Sequence, residues 1–179
     1  MPRQDSTRMN RQQALVSEIA TLIPTVVTGP WRKLTFNRSA LSMLSEHELI
    51  VERPDGTVDE SEGVPFEVDD LLNELRKLMY IPGAGTWMSA QWTITDLGDG
   101  HADARTSFHY DDEPRWSMPV RASNYAIDVR DFPRDDGNVP DWLREQLAEA
   151  ARAARQLDED VAARGERGKH PMRPDTRTR

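Results

Sequence analysis

Two stretches of alternating apolar and polar residues flank the tetrapeptide LGDG at 97–100, and they constrain the fold more than any other feature of the sequence. Side chains alternate between the two faces of a strand, so a period of two predicts strands at 87–94 and 102–110. The glycines between them predict a tight turn. The positions expected to face inward are Met88, Ala90, Trp92, Ile94, Ala102, Ala104, Phe108 and Tyr110. The chain is therefore predicted to contain an antiparallel hairpin with one polar face.

Further strands precede this hairpin. WRKLTF at 31–36 and HELIVER at 47–53 are rich in strand formers, and Pro54-Asp55-Gly56 predicts a turn into a short return strand at 57–60. These three strands form a small meander.

Helical spacing of apolar residues predicts helices at 8–23, 66–80 and 122–131, and a last helix that starts at Pro140. The acids Glu67, Asp69 and Asp70 suit the positive end of the second helix. The last helix carries a narrow apolar seam with a mean repeat near 3.5, formed by Leu143, Leu147, Ala150, Ala154, Leu157 and Val161. We expect this seam to pack on the domain rather than in a two-chain coiled coil.

The order of these elements predicts an α+β fold: a mostly antiparallel sheet, meander plus hairpin, covered by N-terminal, central and C-terminal helices. A length of 179 residues indicates one domain, which we place at 1–163, followed by a disordered basic tail at 164–179. The predicted core includes Trp92, Ile94, Phe108, Leu75 and Leu143.

Charge and composition exclude several function classes. Residues 164–179 carry six Lys or Arg and two acids, a net of +4, so the chain total of −8 leaves −12 on residues 1–163. Such a body repels nucleic acid and anionic membranes but attracts a basic protein surface. Cysteine is absent, which removes thiolate sites and disulfides. The start of the chain lacks a signal-peptide pattern, so a cytoplasmic protein is expected.

The segment SFHYDDEPRW at 107–116 concentrates the candidate functional residues. Its acids could bind a metal, serve as acid and base, or recognise a basic partner. His109 and Asp111 alternate on a strand and could share a metal with Asp103, but no HExxH spacing is present. Adjacent acids at an exposed strand end stay solvated, and no GxSxG, GxxxxGK[ST] or GxGxxG motif occurs. The sequence therefore predicts no enzyme, no metal and no cofactor.

Four segments carry a resemblance to a known family: LLNELRKLM, GTWMSAQWTIT, FHYDDEPRW and NYAIDVRDFPRDDGNVPDWL. Over roughly residues 14–150 the chain resembles the YezG-like family of bacterial immunity proteins, the antitoxins of secreted polymorphic toxins. The resemblance implies an α+β fold without catalytic residues. It also implies binding to the toxic C-terminal domain of a cognate toxin, often a nuclease. The sequence leaves the reaction of the toxin open between a nuclease, an NAD glycohydrolase and other activities.

An acidic inhibitor of this kind would recognise its toxin through exposed carboxylates and aromatic side chains. The residues predicted to bind the partner are Asp103, His109, Asp111, Asp112, Glu113, Trp116, Asp69 and Asp70. The competing interpretation is that the acids only interact with water at the end of a strand. Trp116 could equally pack against the rest of the domain.

Two further questions stay open at this point. Trp87 is either covered by the last helix or an exposed anchor, whereas Trp92 and Trp142 are assigned to the core. The alternative function is a targeting chaperone or adaptor for a secreted effector, and a small metal-dependent hydrolase is a third hypothesis.

Overall fold

A computed structural model describes residues 2–61 and 63–167. In this part of the chain, a five-stranded antiparallel sheet of order β3-β2-β1-β4-β5 combines with four α-helices. In chain order these elements are α1 (Pro2–Leu22), β1 (Lys33–Leu41), β2 (Leu44–Glu52), β3 (Val58–Ser61), α2 (Phe66–Leu78), β4 (Ser89–Gly98), β5 (His101–His109), α3 (Ala122–Asp131) and α4 (Asp141–Arg167). The predicted α+β class and antiparallel sheet are confirmed.

One face of the sheet, called the covered face below, lies under α1 and α2. In the register, Phe36 of β1 is opposite both Leu49 of β2 and Trp92 of β4, so the three side chains share this face. The fully buried side chains that fill the space between sheet and helices are Leu15, Ile19, Leu34, Phe36, Leu49, Leu72, Leu75, Trp92 and Ile94. The predicted core residues of β4 and α2 are thereby confirmed.

A second, smaller core joins α3 and α4 to the end of the sheet. It is formed by Leu41, Met88, Tyr125 and Leu143. The two cores meet at a buried ion pair in which Arg76 of α2 donates to Asp128 of α3 at 2.9 Å. Arg76 also donates to the Trp87 carbonyl at 2.9 Å, so this side chain ties α2, α3 and the start of β4 together.

The hairpin of β4 and β5 is confirmed, but β5 is less covered than its alternation predicts. Gly98, Asp99 and Gly100 all have positive φ, the backbone that the LGDG turn requires. On β4, Ala90, Trp92 and Ile94 are buried, whereas Ala102 and Ala104 of β5 are exposed. The reason is position: β5 is the last strand of the sheet, and helix cover reaches only its end, where Phe108 and Tyr110 are half-buried.

Trp87 is fully buried, but not by the last helix. Its ring lies 5.7 Å from that of Phe108 and under the Arg76 guanidinium, in the main core. The Met88 N–H donates to the His109 carbonyl although His109 is paired with Ser89, so two residues lie opposite one. This arrangement is a β-bulge, which changes the face to which the preceding side chains point. Met88 accordingly joins the second core.

The seam of α4 packs on the domain at its start, as expected, but its second half does not. Leu143 is fully buried, whereas Leu157 and Val161 are 64% and 61% exposed. A 27-residue helix is about 40 Å long, and residues 151–164 in its second half are exposed. Because α4 runs to Arg167, the first residues of the predicted tail, 164–167, are helical, and 168–179 lie outside the described residues.

In the described ranges, no helix has both the length and the apolar character to cross a bilayer.

Candidate functional site

The face of the sheet opposite α1 and α2, called the open face below, holds a cleft of about 720 Å³. Its floor is formed by alternating residues of four strands, and its wall is the segment 112–117, which follows β5. The side chains of the floor are Asn37, Ser39, Glu46, Glu48, Ser89, Gln91 and His109, and those of the wall include Asp112, Glu113, Arg115 and Trp116. The cleft therefore brings together residues from distant parts of the chain.

Hydrogen bonds across three strands order the floor. Gln91 of β4 is opposite Asn37 of β1, which is opposite Glu48 of β2. The Gln91 amide donates to the Asn37 side chain at 2.8 Å, and Asn37 donates to a Glu48 carboxylate oxygen at 3.0 Å. This ladder holds the Glu48 carboxylate in one orientation on the surface.

The wall is held by bonds to its backbone. The Ser39 hydroxyl donates to the Arg115 carbonyl at 2.7 Å, and the Ser117 N–H donates to the Glu46 carboxylate at 3.0 Å. Pro114, directly before these anchors, is buried. The segment is thus fixed across the end of β1 and the start of β2.

The two residues before this segment are anchored from the other side by Arg134, whose side chain is only 1% exposed. Arg134 donates to the Tyr110 carbonyl at 2.5 Å and to the Asp111 carboxylate at 2.9 Å. A Cβ at Gly85 would lie 2.5 Å from Arg134 Nε, and Gly85 has φ +78°, so only glycine fits there. Trp142 of α4 adds a bond from its indole N–H to the Asp111 carbonyl at 2.7 Å.

Four of the predicted partner-binding residues line the cleft: His109, Asp112, Glu113 and Trp116. The Asp112 side chain is 78% exposed, and one of its oxygens lies 3.0 Å from His109 Nδ1. Trp116 is half-buried and donates from its indole to the Tyr125 hydroxyl at 3.0 Å. Burial raises the pKa of the Tyr125 phenol, so it stays protonated. Trp116 thus both packs on the second core and borders the cleft.

The other four lie elsewhere. Asp111 is directed to Arg134, and Asp103 pairs with Arg105 at 3.3 Å on the distal part of β5. Asp69 accepts from Arg38 at 2.6 Å on the covered side, and Asp70 is exposed on α2. The metal site considered from His109, Asp111 and Asp103 is therefore not assembled. In the described part of the chain, no three His, Asp or Glu side chains converge as metal ligands.

A hydrogen-bonded series runs from Ser107 through His109 to Asp112, the order found in serine hydrolases. Ser107 Oγ lies 3.3 Å from His109 Nε2, and Asp112 binds Nδ1. Ser107 and Asp112 are both exposed, and Glu113 follows Asp112 in the same segment, so the series lies on an acidic surface. The contact with His109 Nδ1 helps to orient the Asp112 carboxylate at the edge of the cleft.

Sequence reasoning missed Glu46 and Glu48, which supply half of the carboxylates around the cleft. The signal was present in β2, where Glu46 and Glu48 alternate with the inward-facing His47 and Leu49. What the alternation did not show is that the 112–117 segment crosses over these acids. Together with Asp112 and Glu113 they give the cleft four carboxylates, which Arg115 only partly balances.

No model of a known protein family matches the chain, and no curated protein matches it.

Proposed function

We propose that this protein is an immunity protein that neutralises a cognate secreted bacterial toxin in the cytoplasm by stoichiometric binding to its toxic domain. The observation that carries the proposal is the acidic cleft, with its ordered floor and anchored wall. The resemblance of the sequence to YezG-like immunity proteins supports the same function.

The chemistry of the cleft fits a cationic protein surface. Asp112 and Glu113 are exposed on a segment whose backbone is already fixed, so binding costs little ordering of the chain. A toxin that acts on nucleic acid or on NAD carries cationic groups for phosphates, and carboxylates can occupy the place of those phosphates. Trp116 adds an aromatic surface beside the acids, of the kind enriched in binding hot spots.

The test is the double charge reversal Asp112→Lys with Glu113→Lys, assayed against the toxic domain of the proposed cognate toxin. Asp111 is left unchanged, because its carboxylate binds Arg134. We expect affinity to fall at least about 100-fold, since each lost interfacial charge partner costs about 2–5 kcal/mol. The free energy of unfolding should change by less than about 1 kcal/mol, because the two acids are exposed.

The matched control reverses two adjacent exposed acids of α4, Asp158→Lys with Glu159→Lys, and should leave inhibition intact. A folded Asp112/Glu113 variant that still inhibits fully would contradict the proposed interface. If Asp70→Lys weakens binding instead, the interface lies on α2. Toxin that binds this protein but keeps its activity would favour the chaperone or adaptor function.

A further inference from the structure

The outer edge of β5 is the longest free sheet edge among the described residues. The sheet order ends at β5, a strand of nine residues, whereas the opposite edge is the four-residue β3. Residues 101–105 are exposed on both faces. An exposed edge with unpaired N–H and C=O groups is a template for another strand.

The pairing with β4 determines which backbone groups are free. The His109 carbonyl accepts from Met88 and so points toward β4. Because backbone groups alternate between the two edges of a strand, those of Ser107, Arg105 and Asp103 also point toward β4. The N–H and C=O groups of Ala102, Ala104 and Thr106 therefore point outward.

We propose that a second copy of the chain pairs antiparallel along this edge, on a twofold axis at Ala104. In this register Asp103 of each copy lies opposite Arg105 of the other, so the interface contains two identical cross-strand ion pairs. A shift of the axis to Arg105 would place two arginines opposite each other, and a shift to Asp103 two aspartates. Like charges in directly opposite positions are destabilising, so the charge order Asp103-Ala104-Arg105 selects the Ala104 axis.

The side chains on the other face of β5 are small enough for the two copies to approach each other closely. Ala102 lies opposite Thr106 of the second copy, and Ala104 lies opposite its own symmetry mate, so only small side chains meet. Such an isologous contact closes as a dimer. Since opposite residues in paired strands point to the same face, the continuous sheet would present both clefts on one side.

The absence of cysteine from the chain allows a direct test of the register. Ala104→Cys introduces one thiol beside its symmetry mate, at a Cα separation of about 5.5 Å, which suits a disulfide. The matched control is Ala102→Cys, another exposed alanine of β5, whose two copies would lie about 13 Å apart. Mild oxidation of the isolated protein should yield covalent dimer for Ala104→Cys at least about tenfold faster than for the control. Equal rates, or no dimer from either variant, would overturn the proposal.

Charge reversal tests the same register without a covalent bond. Asp103→Arg or Arg105→Asp alone places like charges opposite each other twice, and should weaken the dimer about tenfold in sedimentation experiments. The double variant restores opposite charges and should recover wild-type association. A double variant as weak as the singles would overturn the Ala104 axis. A wild-type protein that stays monomeric at its highest soluble concentration would overturn the proposed dimer. A strand of the proposed toxin would then be the alternative partner for this edge.

Discussion

The two faces of one sheet have opposite roles in this molecule. On the covered face Phe36 and Trp92 are fully buried, whereas one position away Asn37 and Gln91 lie on the open face in a polar ladder. The same strands supply both faces because strand side chains alternate. We therefore expect the stability of the domain to depend on the strand residues of the covered face. We expect recognition of a partner to depend on the alternate residues, which face the cleft.

The largest loss of stability is expected at the buried ion pair beside the covered face. Asp128→Ala leaves the Arg76 guanidinium, 4% exposed, without its carboxylate. Removal of one partner of a buried pair costs about 3–5 kcal/mol, measurable by urea denaturation. Asp131→Ala removes an exposed carboxylate of the same helix and should shift the midpoint far less. Equal shifts would mean that the pair is not buried in solution.

The covered face itself is tested by Leu75→Ala. Leu75 of α2 is fully buried against the sheet, so the lost contacts and the resulting cavity should cost about 2–5 kcal/mol. Leu157→Ala is the control, because Leu157 is 64% exposed on the distal half of α4 and should change the free energy of unfolding by at most about 0.5 kcal/mol. A larger effect at Leu157 would show that the apolar seam of α4 is covered in solution.

A smaller effect is expected on the open face. Asn37→Ala removes the centre of the ladder between Gln91 and Glu48, and each hydrogen bond contributes about 0.5–1.5 kcal/mol. Because the ladder borders solvent, we expect a total loss of about 1 kcal/mol. Toxin affinity should fall as well, since Glu48 loses its orientation. A loss as large as that of Leu75→Ala would remove the distinction between the faces.

The smallest predicted effect is a pH dependence at the edge of the covered face. Burial lowers the pKa of His47 from its ordinary 6.5, and the nearby Arg38 lowers it further, although Asp69 opposes the shift. The unfolded chain then binds more protons than the folded one below pH 6.5, so this stabilisation is complete above pH 6.5 and is lost as the pH falls. His47→Gln should flatten that part of the stability profile in urea titrations. Parallel profiles for the two proteins would contradict the assignment.

Local sequence patterns predicted the helices and strands. The burial of individual side chains and the assembly of the cleft depended on contacts between residues far apart in the sequence. The hairpin was predictable because alternation and the LGDG turn lie within one short segment. The burial of Trp87 was not, since it depends on the pairing of Met88 and Ser89 with His109. For the cleft, Asp112 and Glu113 stood out as a cluster, but Glu46 meets Ser117 across 71 positions of sequence. The seam of α4 shows a period in the sequence but does not identify the surface that covers it.

The wall of the cleft and the two residues before it are anchored through main-chain atoms, by bonds to the Tyr110, Asp111 and Arg115 carbonyls and the Ser117 N–H. Any amino acid presents the same carbonyl, so replacement of the side chains at 112, 113 and 115 leaves these bonds in place. Those three positions can therefore diversify without a new backbone. Under the proposed function, a lineage of such proteins could follow a changing toxin by altering a few exposed side chains, while the backbone that displays them is inherited unchanged.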